Sequence, residues 1–167
     1  MWVTPNPYLL HKREFHVVPG QIFVVQAWDL QTTVLPLLRG ILQEHGYAAV
    51  SAADREGQLV FDDIWRLLNE SEAVIVDFTK QRPNVYLEYG MALVLGKPVV
   101  AITQDKKDIP SDTSNLKYIL YQDALVGRET LLSRLPRSLA DVIADVQELQ
   151  RHQSPPSKRS SAPRSAR

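Results

Sequence analysis

A carboxylate at the end of an apolar run, followed at short range by another early in a helix, gives two acids that can work on one bound molecule. The stretch Ala73-Val-Ile-Val-Asp77-Phe-Thr79-Lys-Gln-Arg-Pro83-Asn84-Val-Tyr-Leu-Glu88-Tyr-Gly90 has this form: a buried strand ending in Asp77, a polar turn, and a helix carrying Glu88. In α/β sheets ligands sit outside the carboxyl ends of the strands, so both acids are expected to face one crevice. The chemistry to consider there is that of sugars and nucleotides. Cleaving the C1′–N bond of a nucleoside passes through an oxocarbenium-like state, as glycoside cleavage does. An ionised carboxylate below C1′ can stabilise that charge or trap the sugar covalently.

The spacing gives each residue an expected part. Asn84, after Pro83, is placed as the helix N-cap, its side-chain oxygen accepting a first-turn N–H. Glu88 then lies one residue beyond the capping-box position, close enough to the helix start for the dipole to favour its ionised form. That state suits a nucleophile or a charge-stabilising anion better than a general acid. Asp77 or Asp29 is placed to hold sugar hydroxyls or to help protonate the leaving base, Trp28 to stack on a base, and Thr79 stands beside them. The same spacing also fits a purely structural arrangement, with Glu88 a favourable first-turn acid and Asp77 a turn former. On spacing alone, that is the simpler account.

The elements that must hold these residues are legible as a strand–helix alternation. Ile22 to Ala27 is a β-branched apolar run of strand length, and Trp28 and Asp29 follow it. A helix is expected from about Gln31 to His45, with Leu35, Leu38, Ile41 and Leu42 on one stripe, Pro36 tolerated near its start and Gly46 closing it. Tyr47 to Ser51 is a second strand, Ala52 to Gly57 a polar loop, and Leu59 to Asn69 an amphipathic helix. Ala73 to Asp77 is the third strand and about Asn84 to Leu95 its helix, ended by Gly96-Lys97-Pro98. Pro98 to Thr103 and Tyr118 to Tyr121 are strands four and five. A last helical region, about Arg128 to His152, is expected to break at Pro136.

This alternation predicts a parallel sheet covered on both faces by helices with right-handed crossovers. The fold expected is a flavodoxin-like three-layer α/β sandwich, a five-stranded sheet of order 2-1-3-4-5 with its crevice between strands 1 and 3. Strand 1 then delivers Gln26, Trp28 and Asp29 to the crevice, strand 3 Asp77 and Thr79, and strand 4 Thr103 and Gln104. The chain divides into an N-terminal extension (1–20, in which Phe15 to Val18 can form a short edge strand), the α/β domain (21–152) and a basic tail (153–167).

Composition narrows the classes further. At 167 residues, 44% hydrophobic and 23% charged, the chain is most simply one globular domain. With no cysteine, thiol catalysis, disulfides and thiolate-bound zinc are excluded, and the four histidines show no metal-ligand spacing. No metal and no cofactor are expected. With no run of about 18 apolar residues and no signal-like start, the expectation is a cytoplasmic protein without a membrane partner. The net charge of zero hides an asymmetry: residues 151–167 hold five Lys/Arg and no acid, against 14 basic and 19 acidic groups before them. The Ser/Pro-rich tail lacks apolar anchors and is read as a disordered, solubilising end, with weak nucleic-acid contact its only such role. The acidic body does not suit a dedicated nucleic-acid binder.

The central motif also resembles a known family. Asp77-Phe-Thr79, then Pro83-Asn84-Val-Tyr-Leu-Glu88-Tyr-Gly90-Met-Ala92 and Leu95-Gly96-Lys97-Pro98-Val, is similar to the signature of nucleoside 2-deoxyribosyltransferase-like proteins and their bacterial TIR-like relatives. Ile109-Pro-Ser-Asp112 and the helix from Ile64 to Leu68 extend the resemblance over roughly residues 21–122. It implies that Glu88 is the catalytic glutamate, that Asp77 and Asn84 belong to the motif, and that a nucleoside or nucleotide such as NAD is substrate or ligand. It also implies a homo-oligomer or a partner protein as activator. The chain departs from deoxyribosyltransferases where it has Gln26-Ala-Trp28-Asp29 and Lys80-Gln-Arg82-Pro83, which favours NAD or nucleotide cleavage over base exchange. The alternative is a non-catalytic nucleotide-sensing or assembly module.

Overall fold

The computed structural model describes residues 14–54, 61–113, 117–122 and 127–153. Five strands, β1 (Val18–Val25), β2 (Ala48–Ser51), β3 (Ser71–Asp77), β4 (Val99–Thr103) and β5 (Tyr118–Leu120), alternate with helices α1 (Val34–Glu44), α2 (Phe61–Glu70) and α3 (Pro83–Val94), and α4 (Gly127–Gln153) follows β5. The strands form one sheet of order β2-β1-β3-β4-β5, and every pairing is parallel. This is the flavodoxin-like α/β sandwich that the alternation predicts.

A strand buried on both faces sends successive side chains to opposite layers. Ile22 and Val24 of β1, with Ala73 and Ile75 of β3, join a core beneath α1 and α4, whereas Phe23, Val25, Val74 and Val76 pack beneath α2 and α3. A one-residue slip in either strand would exchange the two layers, so the apolar pattern fixes the register. Helices α1 and α3 end the same way. Gly46 (φ 80°) and Gly96 (φ 65°) take left-handed backbone just past each helix. The N–H groups of Tyr47 and Lys97 then reach back to the carbonyls of Leu42 (2.9 Å) and Ala92 (3.0 Å).

Lys97 has a second use at that junction. Its Nζ donates to the carbonyls of Asn69 and Ser71, both at 2.7 Å, tying the end of α2 to the start of β3. Partial burial lowers its ammonium to about 8.

Several boundaries differ from the sequence expectation. Helix α1 starts at Val34, because Trp28–Leu30 forms a short 3₁₀ turn and Gln31–Thr33 a further turn. Glu14–Val17 lie outside regular structure, and Val18 begins β1 itself rather than a separate edge strand. Pro136 does not break the last helix: α4 is continuous over 27 residues. Pro136 lacks an N–H for the Leu132 carbonyl. Against that loss, Leu131, Leu135, Leu139 and Ile143 form a buried stripe at four-residue intervals, and each fully buried side chain contributes about 1.5–3 kcal/mol. The expected ends of the polar loop and of the helix from Leu59, most of the N-terminal extension and residues 154–167 lie outside the described residues. Among the described residues no helix is long and apolar enough to cross a membrane.

Candidate functional site

Where the chain order reverses about β1, the carboxyl ends of β1 and β2 and the start of α3 surround an open cleft of about 630 Å³. Open α/β sheets bind ligands at this switch point, and the volume lies within the range of small-molecule sites. Gln26, Trp28 and Asp29 come from the end of β1, and Asn84 and Glu88 from α3. Val24, Ile64 and Val85 supply apolar wall.

Glu88 enters the cleft from the second turn of α3. The N-cap is Arg82, with Pro83 in the first turn, so Asn84 is already inside the helix and the expected cap at Asn84 is corrected. Pro83 explains the shift: its fixed φ and missing N–H suit the first helical position, and the residue before it is pushed to extended backbone. Glu88 therefore lies beyond the first turn, where the dipole has little hold on it. Half-buried and with no hydrogen bond or ion pair among the described residues, its carboxyl is raised by burial from the ordinary 4.5 to about 7. The expectation of an acid held ionised by the helix is thus reversed. Desolvation dominates.

Asp29 has the opposite environment. Lys80 Nζ approaches its Oδ2 at 2.6 Å and an Arg82 guanidinium nitrogen approaches the same oxygen at 3.4 Å. The hydrogen bond from Lys80 is the main influence holding this carboxyl below its usual value. Of the two acids lining the cleft among the described residues, one is therefore committed to its charge and the other titrates near neutrality. Trp28 stands beside Asp29 with its side chain largely in solvent, 73% exposed. The large apolar face of an indole is available there for stacking.

The turn between β3 and α3 delivers both cations. Lys80 (φ 69°) and Gln81 (φ 51°) are consecutive non-glycine residues in left-handed backbone. Such positions cost on the order of 1–3 kcal/mol each and persist when neighbours over-determine them. Here the Lys80 N–H donates to Asp108 Oδ2 (3.0 Å) and Gln81 Nε2 to the Lys107 carbonyl (3.1 Å).

Asp77 and Thr79, expected in the crevice, lie outside the cleft lining. Asp77 is fully buried and Thr79 4% exposed. Asp77 Oδ1 accepts from the Thr79 N–H (3.0 Å) and hydroxyl (2.5 Å), and Oδ2 from the Tyr121 hydroxyl (2.5 Å). Thr79 Oγ1 also accepts from the Gln104 N–H at 3.0 Å, joining the ends of β3, β4 and β5. Burial raises the Asp77 carboxyl, and burial together with the Asp77 charge raises the Tyr121 phenol. Thr103 is fully buried and turns back to bond Asp105 rather than reaching a ligand.

Of the residues expected at the site, Trp28, Asp29, Asn84 and Glu88 line one cleft. Sequence reasoning gave no part to Lys80, Arg82 or Ile64, and placed Gln26 at the crevice without a role. Both polar atoms of the Gln26 side chain are buried in the cleft wall without a hydrogen-bond partner among the described residues.

No protein-family model matches the chain, and no curated protein matches it in sequence. Its fold is similar to that of a 2-deoxyribosyltransferase from Bacillus psychrosaccharolyticus, with a TM-score of 0.54 at 12% identity over 72% of this chain and 96% of that one. The constitutive lysine decarboxylase of E. coli aligns with a TM-score of 0.47 at 12% identity, over 78% of this chain and 18% of that much longer one. At such identity the likeness to the first is one of fold.

Proposed function

We propose that the protein cleaves the N-glycosidic bond of a nucleoside or nucleotide, with Glu88 as the carboxylate that meets C1′. The observation that carries this reading is a carboxyl without a partner among the described residues, in a partly apolar cleft at the switch point of the sheet, raised to about 7 by burial. A carboxylate partly withdrawn from solvent gains most when positive charge develops beside it, which is what an oxocarbenium-like state supplies. In hydrolysis the C1′–N bond breaks with its electron pair leaving on the base, water adds its oxygen to C1′, and a proton is released. The fold shared with a 2-deoxyribosyltransferase is compatible with this chemistry. Trp28 offers a face for the base, and ionised Asp29 can only accept hydrogen bonds, which suits sugar hydroxyls.

The finer choice of substrate follows from the second acid. Most glycosidic cleavages use two carboxyl groups, one to protonate the leaving group. Asp29 is held ionised by Lys80, and Asp77 is enclosed in its own network. Glu88 is thus the one cleft acid, among the described residues, that titrates near neutrality. That favours a leaving group needing no proton, such as the pyridinium of an NAD-type nucleotide, which departs as a neutral base. The same shortage of a free acid favours, as the second reading, a sensor that binds the nucleotide without breaking it.

Chromatography of NAD, NADP and a nucleoside and nucleotide panel after incubation with wild type and Glu88→Gln separates these readings. Base release by wild type and not by the variant is the expected result. Its rate should rise with pH through about 7 as Glu88 ionises. A ligand that raises the melting temperature of wild type without turnover would support the sensor, and neither effect would sink both.

A further inference from the structure

Gln26 is the least explained group in the cleft. The amide carries two N–H donors and a carbonyl acceptor, and both of its polar atoms are buried with no partner among the described residues. Buried polar groups in native proteins are nearly always paired, and leaving one unpaired costs stability. Gln26 is also not needed for strand pairing: it follows β1, whose last paired residue is Val25, and the residue lines the cleft that Glu88 enters from α3. The amide is therefore left for a ligand to complete, the side chain turning toward the cleft as it does so.

We propose that Gln26 is a specificity-determining residue that reads an adjacent donor and acceptor on the base of the bound nucleoside or nucleotide. This rests on the nucleoside or nucleotide reading of the cleft given above. A planar amide pairs in two parallel hydrogen bonds with a group offering N–H beside C=O: the carboxamide of nicotinamide, or the imide edge of uracil. Three other groups of the cleft fit the remaining parts of such a ligand. Asp29, held ionised, accepts from hydroxyls but cannot donate, Glu88 faces the reacting carbon, and exposed Trp28 offers an apolar face. Gln31 and Asn84 also bring amides to the cleft, but Gln26 alone of the three has both polar atoms buried without a hydrogen-bond partner among the described residues, and a neutral donor–acceptor pair is the complement of a base edge rather than of a sugar diol.

The test uses the full chain, ligands with and without the donor, and a variant that keeps side-chain length while removing both polar atoms. Dissociation constants are measured by calorimetry for NAD against its 3-acetylpyridine analogue and for uridine against 3-methyluridine, with wild type and with Gln26→Met. Wild type should bind at least one parent compound about tenfold or more tightly than its donor-blocked analogue, and Gln26→Met should lose that preference. The ligand-free variant should melt higher than wild type, because it no longer buries an unpaired amide. Equal affinity of wild type for parent and blocked compounds, or a preference that survives in Gln26→Met, overturns the assignment while leaving the cleft a nucleotide site. A fall in the melting temperature of ligand-free Gln26→Met also counts against it, since the amide would then serve the fold. If wild type binds none of the four compounds, the nucleotide reading and this inference fall together.

Discussion

Glu88 is subject to two influences that a sequence cannot weigh. Its distance along the helix suggests help from the backbone dipole, and its surroundings decide how much water it keeps. The second dominates, because the dipole fades within the first turn whereas desolvation acts wherever apolar walls replace water. A native carboxyl raised from 4.5 to about 7 stays protonated in the folded state over a range where the unfolded chain has released its proton. Its contribution to stability is therefore full below pH 4.5 and is lost as pH rises through 7. Glu88→Gln, neutral at every pH, should be more stable than wild type by about 1–3 kcal/mol at pH 8. The gap should close as pH falls toward 4.5. Urea unfolding at pH 8 and pH 4.5 checks this, and an equal effect at both would show that ionisation is not its source. Loss of turnover together with gained stability would mark Glu88 as a residue kept for chemistry at a cost to the fold.

The ends of β3, β4 and β5 show why part of the candidate site was legible and part was not. Trp28, Asp29 and Glu88 follow from local pattern: each lies just past a strand end or within a helix adjoining the switch point, so knowing the elements is enough to place them. Asp77 also ends a strand, but its fate depends on Tyr121, 44 positions further on, which turns a prospective ligand group into an enclosed one. Likewise Pro136 reads as a break until the stripe from Leu131 to Ile143 is seen buried against the sheet. The strand order was accessible because apolar alternation and right-handed crossovers leave few choices; the polar pairings between loops were not, because no periodicity encodes them. The Asp77 network yields its own prediction. Tyr121→Phe removes the donor to Asp77 Oδ2 from a fully buried carboxyl and should destabilise by about 1–3 kcal/mol. The expected signature is a lower urea midpoint at unchanged slope. Ligand binding in the cleft should persist, because the network is no part of its lining. A midpoint equal to wild type would mean that Thr79 alone satisfies the acid.

At the scale of the whole molecule, the packing and the charge are distributed differently along the chain. The buried residues run from Ile22 to Ile143, in two layers that share one sheet. Beyond Ile143, α4 continues for more than two turns in which the described side chains are mostly exposed, Leu149 at 60%. Those turns follow from helix propagation, which adds a hydrogen bond per residue once a helix is anchored. Residues 153–167 carry four of the chain's 19 basic groups, Lys158, Arg159, Arg164 and Arg167, and no acid. Their removal leaves a net charge of −4 in place of zero without touching any residue of the core. Deleting residues 153–167 should therefore leave the thermal midpoint unchanged while weakening retention on heparin, because contact with a polyanion scales with the cations that displace its counterions. The two readouts separate the roles. A large fall in midpoint would show that the tail packs on the domain, whereas unchanged heparin retention would place the anion contact on the body, with the Lys80–Arg82 turn beside the cleft the first place to look.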